Sequence, residues 1–223
     1  MTPPNLRLLR LLQLASPALP VGAYSYSQGL EAAIEADIVA DAPAAQRWIG
    51  DVLAHGLARL ELPVLRRLVD AWRAGDADAA AALNTLLLAS RETAELRAET
   101  VQTGYSLRRL LTEVCESAAA LDALDEVAFP TAFGFAAAKW GIETENALTA
   151  YLWSWAENQV MAAVKAVPLG QTDGQRVLLA LGVPIADAVN AALQEDDWPG
   201  NYTPALAILS SRHETQYSRL FRS

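Results

Sequence analysis

The sequence predicts a single all-α domain, a helical bundle of about ten helices. Helix-forming residues dominate wherever a hydrophobic period is visible, and no run of five residues alternates as a β-strand would. The chain of 223 residues is long enough for one sizeable core, and it has no linker rich in Ser, Gly or Pro. We therefore expect one domain over residues 1–223.

Capping residues, prolines and glycines mark helix ends in the first half of the chain. Aspartate accepts hydrogen bonds at a helix start, proline is tolerated in the first turn, and glycine commonly follows the last turn. In order, the markers are Pro3-Pro4 before the first leucine run, Asp41 with Pro43, Leu62-Pro63, Gly75-Asp76, and Phe129-Pro130.

The second half of the chain carries the longer predicted helices. Thr144 and Glu145 begin a helix that reaches about Val167, and further helices are predicted over residues 173–181, 184–193 and 204–214. The helix over 145–167 is apolar nearly all round, which predicts a central position in the bundle. Its Lys165 must reach water, pair with a carboxylate or cap the helix C-terminus.

Residues 16–31 form a predicted irregular loop near the N-terminus. Its two prolines lack backbone donors, while Gly22 and Gly29 permit turns, so the first helix must end near Ala15. Unlike most loops it carries apolar side chains that need a covering surface, namely Leu19, Val21, Tyr24 and Tyr26. A rigid elbow packed on its own domain and a partner surface both fit this pattern.

The helix predicted from about Arg91 has an apolar face and an acidic face. Glu92, Glu95 and Glu99 repel one another, although Arg91 can offset Glu95 at a spacing of four; a solvated acidic surface is the simpler reading. Small residues in the middle of the apolar face allow another helix to approach closely. That face consists of Leu96, Thr100, Gly104, Leu107, Leu111 and Val114.

Composition excludes several function classes. A net charge of -9 argues against nucleic acid, and the longest apolar stretches fall short of the roughly 20 residues of a membrane span, so we expect a cytoplasmic protein. A single cysteine, Cys115, fits a reducing compartment and is expected to pack in the core.

A search for chemistry in the sequence finds little. With His55, His213 and one cysteine, a closed metal site would need carboxylates, and no phosphate-binding glycine loop is present. We assign no catalytic, cofactor-binding or metal-ligating residue. One alternative stays open at this point, a small helical hydrolase centred on His213.

The chain ends in a segment rich in anchors. Apolar Tyr217, Leu220 and Phe221 alternate with potential bidentate donors, among them Arg219 and Arg222. Docking on the protein's own core and binding to another chain are equally compatible with this composition.

Four separated segments together resemble one family. Residues 16–31 read Ser-Pro-x-Leu-Pro-x-Gly-x-Tyr-Ser-x-Ser-x-Gly-Leu-Glu, and residues 91–99 read Arg-Glu-x-x-Glu-x-Arg-x-Glu. Residues 164–171 read Val-Lys-Ala-Val-Pro-Leu-Gly-Gln, and the last five read Arg-Leu-Phe-Arg-Ser. Their types and order resemble the UreF family of urease accessory proteins.

The resemblance implies an all-helical, non-enzymatic accessory protein that forms a homodimer. It implies a complex with a UreD-type (also called UreH) protein and the GTPase UreG. In this complex the chain bridges its partners and couples GTP use to nickel insertion into apo-urease. Nickel and GTP are then expected on the partner proteins, with no nucleic acid or membrane involved. A stand-alone nickel-binding chaperone that uses acidic stripes stays open as a further alternative.

The resemblance implies partner-binding residues on the matching segments. For the C-terminal tail it favours binding to a partner over docking on the protein's own core. Residues 115–126 and 183–202 match no known pattern and receive no role. The implied set is Tyr24, Ser25, Tyr26, Glu31, Glu95, Arg97, Glu99, Lys165, Pro168, Gln171, Tyr217, Arg219, Leu220, Phe221 and Arg222.

Overall fold

The computed structural model describes residues 3–115, 118–194 and 200–223, and within them the predicted all-α class is confirmed. A 3-10 turn at Ala23–Ser25 and a π-helical turn at Leu53–Leu57 supplement eleven α-helices in these ranges. The helices are α1 Pro4–Leu14, α2 Leu30–Glu35, α3 Ala42–Val52, α4 Glu61–Ala74, α5 Ala77–Ala89, α6 Ala94–Val114, α7 Ala119–Asp122, α8 Phe129–Lys139, α9 Thr144–Ala166, α10 Gln171–Gln194 and α11 Pro204–His213.

Local capping fixes several of the predicted boundaries. Asp41 accepts a hydrogen bond from the Ala44 N–H at 2.8 Å, and Asp76 does the same for Ala79 at 2.9 Å. Gly75 ends α4 with a φ of 72°, a left-handed conformation that glycine adopts without strain. The helix predicted from Arg91 begins slightly later, because Thr93 is its N-cap.

The prediction of a helix break at Pro184 is wrong, because α10 runs without interruption from Gln171 to Gln194. Proline removes one helical hydrogen bond, to the carbonyl of Ala180, and that residue is exposed so water can replace the bond. Leu181, Ile185 and Val189 form one buried face on both sides of the proline. Their burial outweighs the local penalty.

Because α10 is continuous, the longest apolar helix has 24 residues and is longer than predicted. Of the described residues, only α10 is long and apolar enough to cross a membrane, which corrects the expectation that every apolar stretch is too short. It packs against α3, α4 and α9, and the core helix of a soluble protein passes the same length and composition test.

The core forms where α4 and α9 pack against each other and against both α8 and α10, and α9 also contacts α1, α2 and α3. The predicted central position of α9 is confirmed by its buried Leu148, Tyr151, Leu152 and Trp155. It is not covered all round, since Trp153 is exposed. Cys115, at the C-terminal end of α6, is half-buried and packs against this core.

The predicted apolar face of α6 packs against α8 and the chain that precedes it. Leu107 and Leu111 are buried there, whereas Val114 is exposed and does not belong to the contact. Leu96 is buried at the other end of α6, where it lines a cavity with Leu60 and Leu206. A Cβ added at Gly104 would lie 1.9 Å from the carbonyl oxygen of Val127. Only glycine fits this backbone approach.

We predict that Gly104→Ala lowers the free energy of unfolding by about 1 to 3 kcal/mol, because backbone must move to admit the methyl group. Gly182→Ala is the matched control: an added Cβ on α10 meets no atom within 4 Å, so helix propensity alone should stabilise by up to about 1 kcal/mol. Urea unfolding measures both. Equal effects would show that the Gly104 contact does not matter.

Candidate functional site

The four segments singled out in the sequence meet at one place in the fold. The loop before α2, the first turns of α6, the end of α9 and the C-terminal segment, residues 214–223, are joined there by hydrogen bonds and packing. The C-terminal segment lies on the chain's own surface, so its inner face is buried within the domain.

Glu31 holds the C-terminal segment through its backbone. The N–H groups of Leu220 and Phe221 donate to the two carboxylate oxygens of Glu31 at 2.7 and 2.9 Å. Phe221 is only 7% exposed and packs with Leu30, Val167 and other apolar residues in a small second core. The segment is therefore anchored by one ring and a shared carboxylate.

The end of the segment is tied to the N-terminal loop. The Arg222 N–H donates to the Ser25 carbonyl at 2.8 Å, and the Ser27 N–H donates to the main-chain oxygen of Ser223 at 2.8 Å. The Ser27 hydroxyl donates to the same Ser223 oxygen. The loop packs on its own domain as the elbow interpretation requires, with Tyr26 buried.

Two of the three acids of the predicted acidic face are covered by other parts of the chain, whereas Glu92 precedes the N-cap of α6 and is exposed. Glu95 contacts His213 Nδ1 and Arg219 Nη1, each at 2.6 Å. Glu99 is buried and accepts hydrogen bonds from the Gln28 amide at 2.7 Å and the Ser223 hydroxyl at 2.8 Å. We call Glu31, Glu95, Glu99 and His213 the acidic cluster.

The expected pairing of Arg91 with Glu95 is also wrong. Arg91 instead forms an ion pair with Glu61 of α4 at 3.0 Å, and Glu61 accepts a hydrogen bond from the Tyr151 hydroxyl at 3.0 Å. Arg91 precedes the N-cap of α6, so the helical spacing that would bring it to Glu95 does not apply.

Burial shifts the titration of Glu99. It raises the pKa of this carboxyl to about 7, although hydrogen bonds from Gln28 and Ser223 and the charge of Arg91 oppose the rise. In the folded chain the protonated form of Glu99 is thus favoured below about pH 7, and the contribution of Glu99 to folding stability declines as pH rises from the carboxyl's ordinary 4.5 to about 7.

His213 lies at the end of α11 with its side chain fully buried. Its Nε2 is 3.2 Å from Glu31 and its Nδ1 is 2.6 Å from Glu95, so both ring nitrogens are occupied by carboxylates. A hydrolytic base needs access to substrate and to a nucleophile, and this histidine has no access to solvent. The geometry therefore does not favour the hydrolase alternative.

The carboxylates of the cluster do not converge on one point, because they meet different nitrogens of the ring. No group of three or more His, Cys, Asp or Glu side chains is arranged to hold a metal ion within residues 3–115, 118–194 and 200–223.

Gln28 contacts the acidic cluster, and sequence reasoning missed it. Its backbone adopts a φ of 53°, unusual for a residue other than glycine, and its amide bridges Glu99 and the Trp155 indole N–H, the latter at 2.7 Å. Nothing in the local sequence signals this role. Asn158, which donates to the Tyr26 carbonyl at 3.2 Å, was detectable as a polar exception in an apolar helix.

Lys165 lies beside the cluster rather than in it. Its side chain is exposed in the last turn of α9, with Nζ 5.9 Å from the centre of the Phe221 ring, a cation–π distance. Pro168 and Gln171 follow it and are exposed. Arg97 points elsewhere and forms an ion pair with Glu126, so the structure does not bring it to the cluster.

The C-terminal segment has an inner and an outer face. Phe221 and Ser223 point inward, whereas Leu220 is 71% exposed and Tyr217 is fully exposed. Arg222 is exposed as well. On the other side of the loop, the Tyr24 hydroxyl is 3.5 Å from Glu157.

We predict that Phe221→Ala lowers the free energy of unfolding by about 3 kcal/mol, the low end for removing a buried ring. Leu220→Ala, the adjacent control, should change it by less than about 0.5 kcal/mol because the side chain is in water. Urea unfolding of both variants distinguishes the two faces. Similar losses would contradict the described orientation of the segment.

Comparison with known proteins identifies the family. A family model described as UreF matches residues 39–182. The urease accessory protein UreF of Azoarcus sp. (strain BH72) is 61% identical over 226 residues, covering 98% of this chain and 96% of that protein. The protein of the same name from Dechloromonas aromatica (strain RCB) is 57% identical, covering 98% of each chain. The chain therefore belongs to the UreF family of urease accessory proteins.

Proposed function

We propose that this protein is a non-catalytic scaffold that bridges a UreD-type (UreH) protein and a UreG-type GTPase during urease maturation. In this role it couples GTP use to nickel insertion into apo-urease, while nickel and nucleotide are held by the partners. Family membership supports the urease context. The observation that carries the scaffold role is the convergence of four family-like segments on one surface built from both chain ends.

The outer face of the C-terminal segment is the proposed contact for the UreD-type protein. Tyr217 and Leu220 are exposed beside Arg222, and aromatic, apolar and arginine side chains are the usual anchors of protein interfaces. Phe221, also proposed as a partner residue, contributes by holding this face in position. Glu31, Glu95 and Glu99 contribute in the same indirect way, because they are engaged by the segment itself.

The end of α9 is the proposed contact for the GTPase. Lys165, Pro168 and Gln171 are exposed next to the docked C-terminal segment. A GTPase bound to them would therefore lie beside the proposed contact for the UreD-type protein. The proposed cytoplasmic homodimer requires a further surface, and α1 offers one through its exposed Leu8, Leu9 and Leu12.

The UreD-type contact is tested by co-purification. Tyr217→Ala/Leu220→Ala should lose the UreD-type protein while its melting temperature stays within about 2 °C, since both side chains are in water. Leu179→Ala/Val183→Ala removes two equally exposed apolar side chains from α10 and should retain the partner. Full retention by the first variant would place the interface elsewhere.

Lys165→Ala should reduce activation of co-expressed urease several-fold with little change in stability, because an exposed cation contributes weakly to folding. Lys139→Ala is a close control: Lys139 also lies in a last helical turn, with Nζ 5.5 Å from the centre of the Phe135 ring. Urease activity and melting temperature are measured for both. If Lys165→Ala loses stability in proportion to activation, the residue has only a structural role.

A further inference from the structure

The outer face of α10 carries the two most exposed large aliphatic side chains found on any of the described helices. Leu179 is 82% exposed and Val183 is 70% exposed. They are separated by one helical turn, so their side chains are neighbours on the helix surface. The opposite face of α10, with Leu181 and Ile185, is buried in the core. The pair on the outer face is left in water by the fold of the single chain.

One charged side chain lies on each side of this apolar pair. Arg176 lies one turn before Leu179, and Asp187 lies one turn after Val183; both are exposed. At 3.6 residues per turn the four side chains fall within roughly 80° of one another around the helix axis. They form one stripe along the outside of α10, which we call the α10 stripe. From its N-terminal end the stripe is positive, apolar, apolar and negative.

This order of groups is self-complementary when two copies of α10 pair antiparallel. A two-fold axis that passes close to residues 181 and 182 places Arg176 beside Asp187 of the other copy, twice. The same axis places Leu179 beside Val183 of the other copy. A parallel pairing would bring like charges together at both ends of the stripe, which is unfavourable. The charges therefore favour a second copy of this chain, in one orientation.

The middle of the α10 stripe permits close approach of the two helices. Ala180 and Gly182 lie beside it, and a Cβ added at Gly182 would meet no atom within 4 Å. The distance between packed helices depends on the size of the side chains at their contact, so small residues bring the axes together. Leu179 and Val183 would then leave water, while the charged ends would stay at the rim. Protein interfaces commonly combine an apolar centre with a polar rim.

We propose that the α10 stripe is a self-association surface through which two copies of this chain pair antiparallel. It is separate from α1, which carries the homodimer proposed above, and it does not rest on the scaffold function. One helix per copy offers less area than the about 800 Å² per partner of a stable interface. The pairing is therefore weak and depends on protein concentration.

Sedimentation equilibrium of the full chain measures this pairing. The Leu9→Glu/Leu12→Glu background removes the α1 surface, and both of these side chains are exposed, so the fold is kept. In this background the weight-average mass should rise with protein concentration. Adding Leu179→Ala/Val183→Ala should raise the dissociation constant at least about tenfold, because the apolar centre is lost. A chain that stays monomeric in the background, or an unchanged dissociation constant, would overturn the proposal.

Charge reversals test the antiparallel orientation. Arg176→Asp and Asp187→Arg should each weaken the pairing at least about tenfold, because each variant brings like charges together at both ends of the stripe. An equimolar mixture of the two variants should restore it, since each contact then joins an aspartate to an arginine. An effect confined to one chain cannot produce this rescue, so a mixture that pairs no better than the single variants would contradict the proposal.

Asp173→Asn is the matched control for the charge reversals. Asp173 accepts a hydrogen bond from Arg176 at 2.9 Å within the same chain, in an exposed ion pair one turn away. Removal of this carboxylate leaves both ends of the stripe intact and should keep the wild-type dissociation constant. A loss equal to that of Arg176→Asp would show that the local ion pair matters instead of the contact between copies.

Co-purification separates this inference from the proposed scaffold role. Leu179→Ala/Val183→Ala should lose self-association and retain the UreD-type protein, whereas Tyr217→Ala/Leu220→Ala should show the reverse. Loss of the UreD-type protein by the α10 variant, with self-association unchanged, would assign the stripe to that partner and overturn the proposal. Failure of the Tyr217→Ala/Leu220→Ala prediction alone would concern only the scaffold role.

Discussion

The hydrogen bonds of the Glu31 carboxylate organise the functional end of this protein. A buried carboxylate is stable only when its oxygens are satisfied, and here the donors come from α11 and from two backbone amides of the C-terminal segment. Glu31 lies in the first turn of α2, where the helix dipole also favours a negative charge. Both elements must be in place before this carboxylate can be buried at low cost.

This requirement makes the two ends of the chain depend on each other. Ser27 donates twice to Ser223, 196 residues away, and its hydroxyl also accepts the Glu31 N–H at 3.3 Å. Gln28 in the loop after Ser27 has a positive φ, which is strained for a residue other than glycine, and these bonds offset that backbone cost. An irregular loop and an irregular terminus thereby form one ordered surface without regular secondary structure.

Local signals made the helices predictable, whereas long-range contacts decided the features that sequence reasoning missed. Asp41, Asp76 and Gly75 act on residues next to them, so the sequence alone locates those ends. Pro184 acts locally too, but burial of Ile185 and Val189 in the tertiary core overrides it.

The candidate site, too, was predictable only where local sequence signals define it. Its four segments were recognisable from their residue types, but their meeting point was not, because Glu95 and Glu99 find partners more than 100 positions away. A pattern read along one helix assigns such acids to water. Only the folded chain shows that His213, Arg219 and Ser223 cover them, while Arg97 on the same helix turns away to Glu126.

The acidic cluster holds the C-terminal segment in one specific position without a large apolar contact. An apolar replacement for a buried ionic group is often as stable or more stable, so the carboxylates are not explained by stability alone. Phe221 is the one large apolar anchor in the segment's inner face, and the remaining bonds depend on correct alignment of donors with carboxylates. Such bonds weaken steeply when the geometry is lost. A segment held in this way has one well-defined docked position. Its release would expose less apolar area than the release of a terminus held by several buried rings.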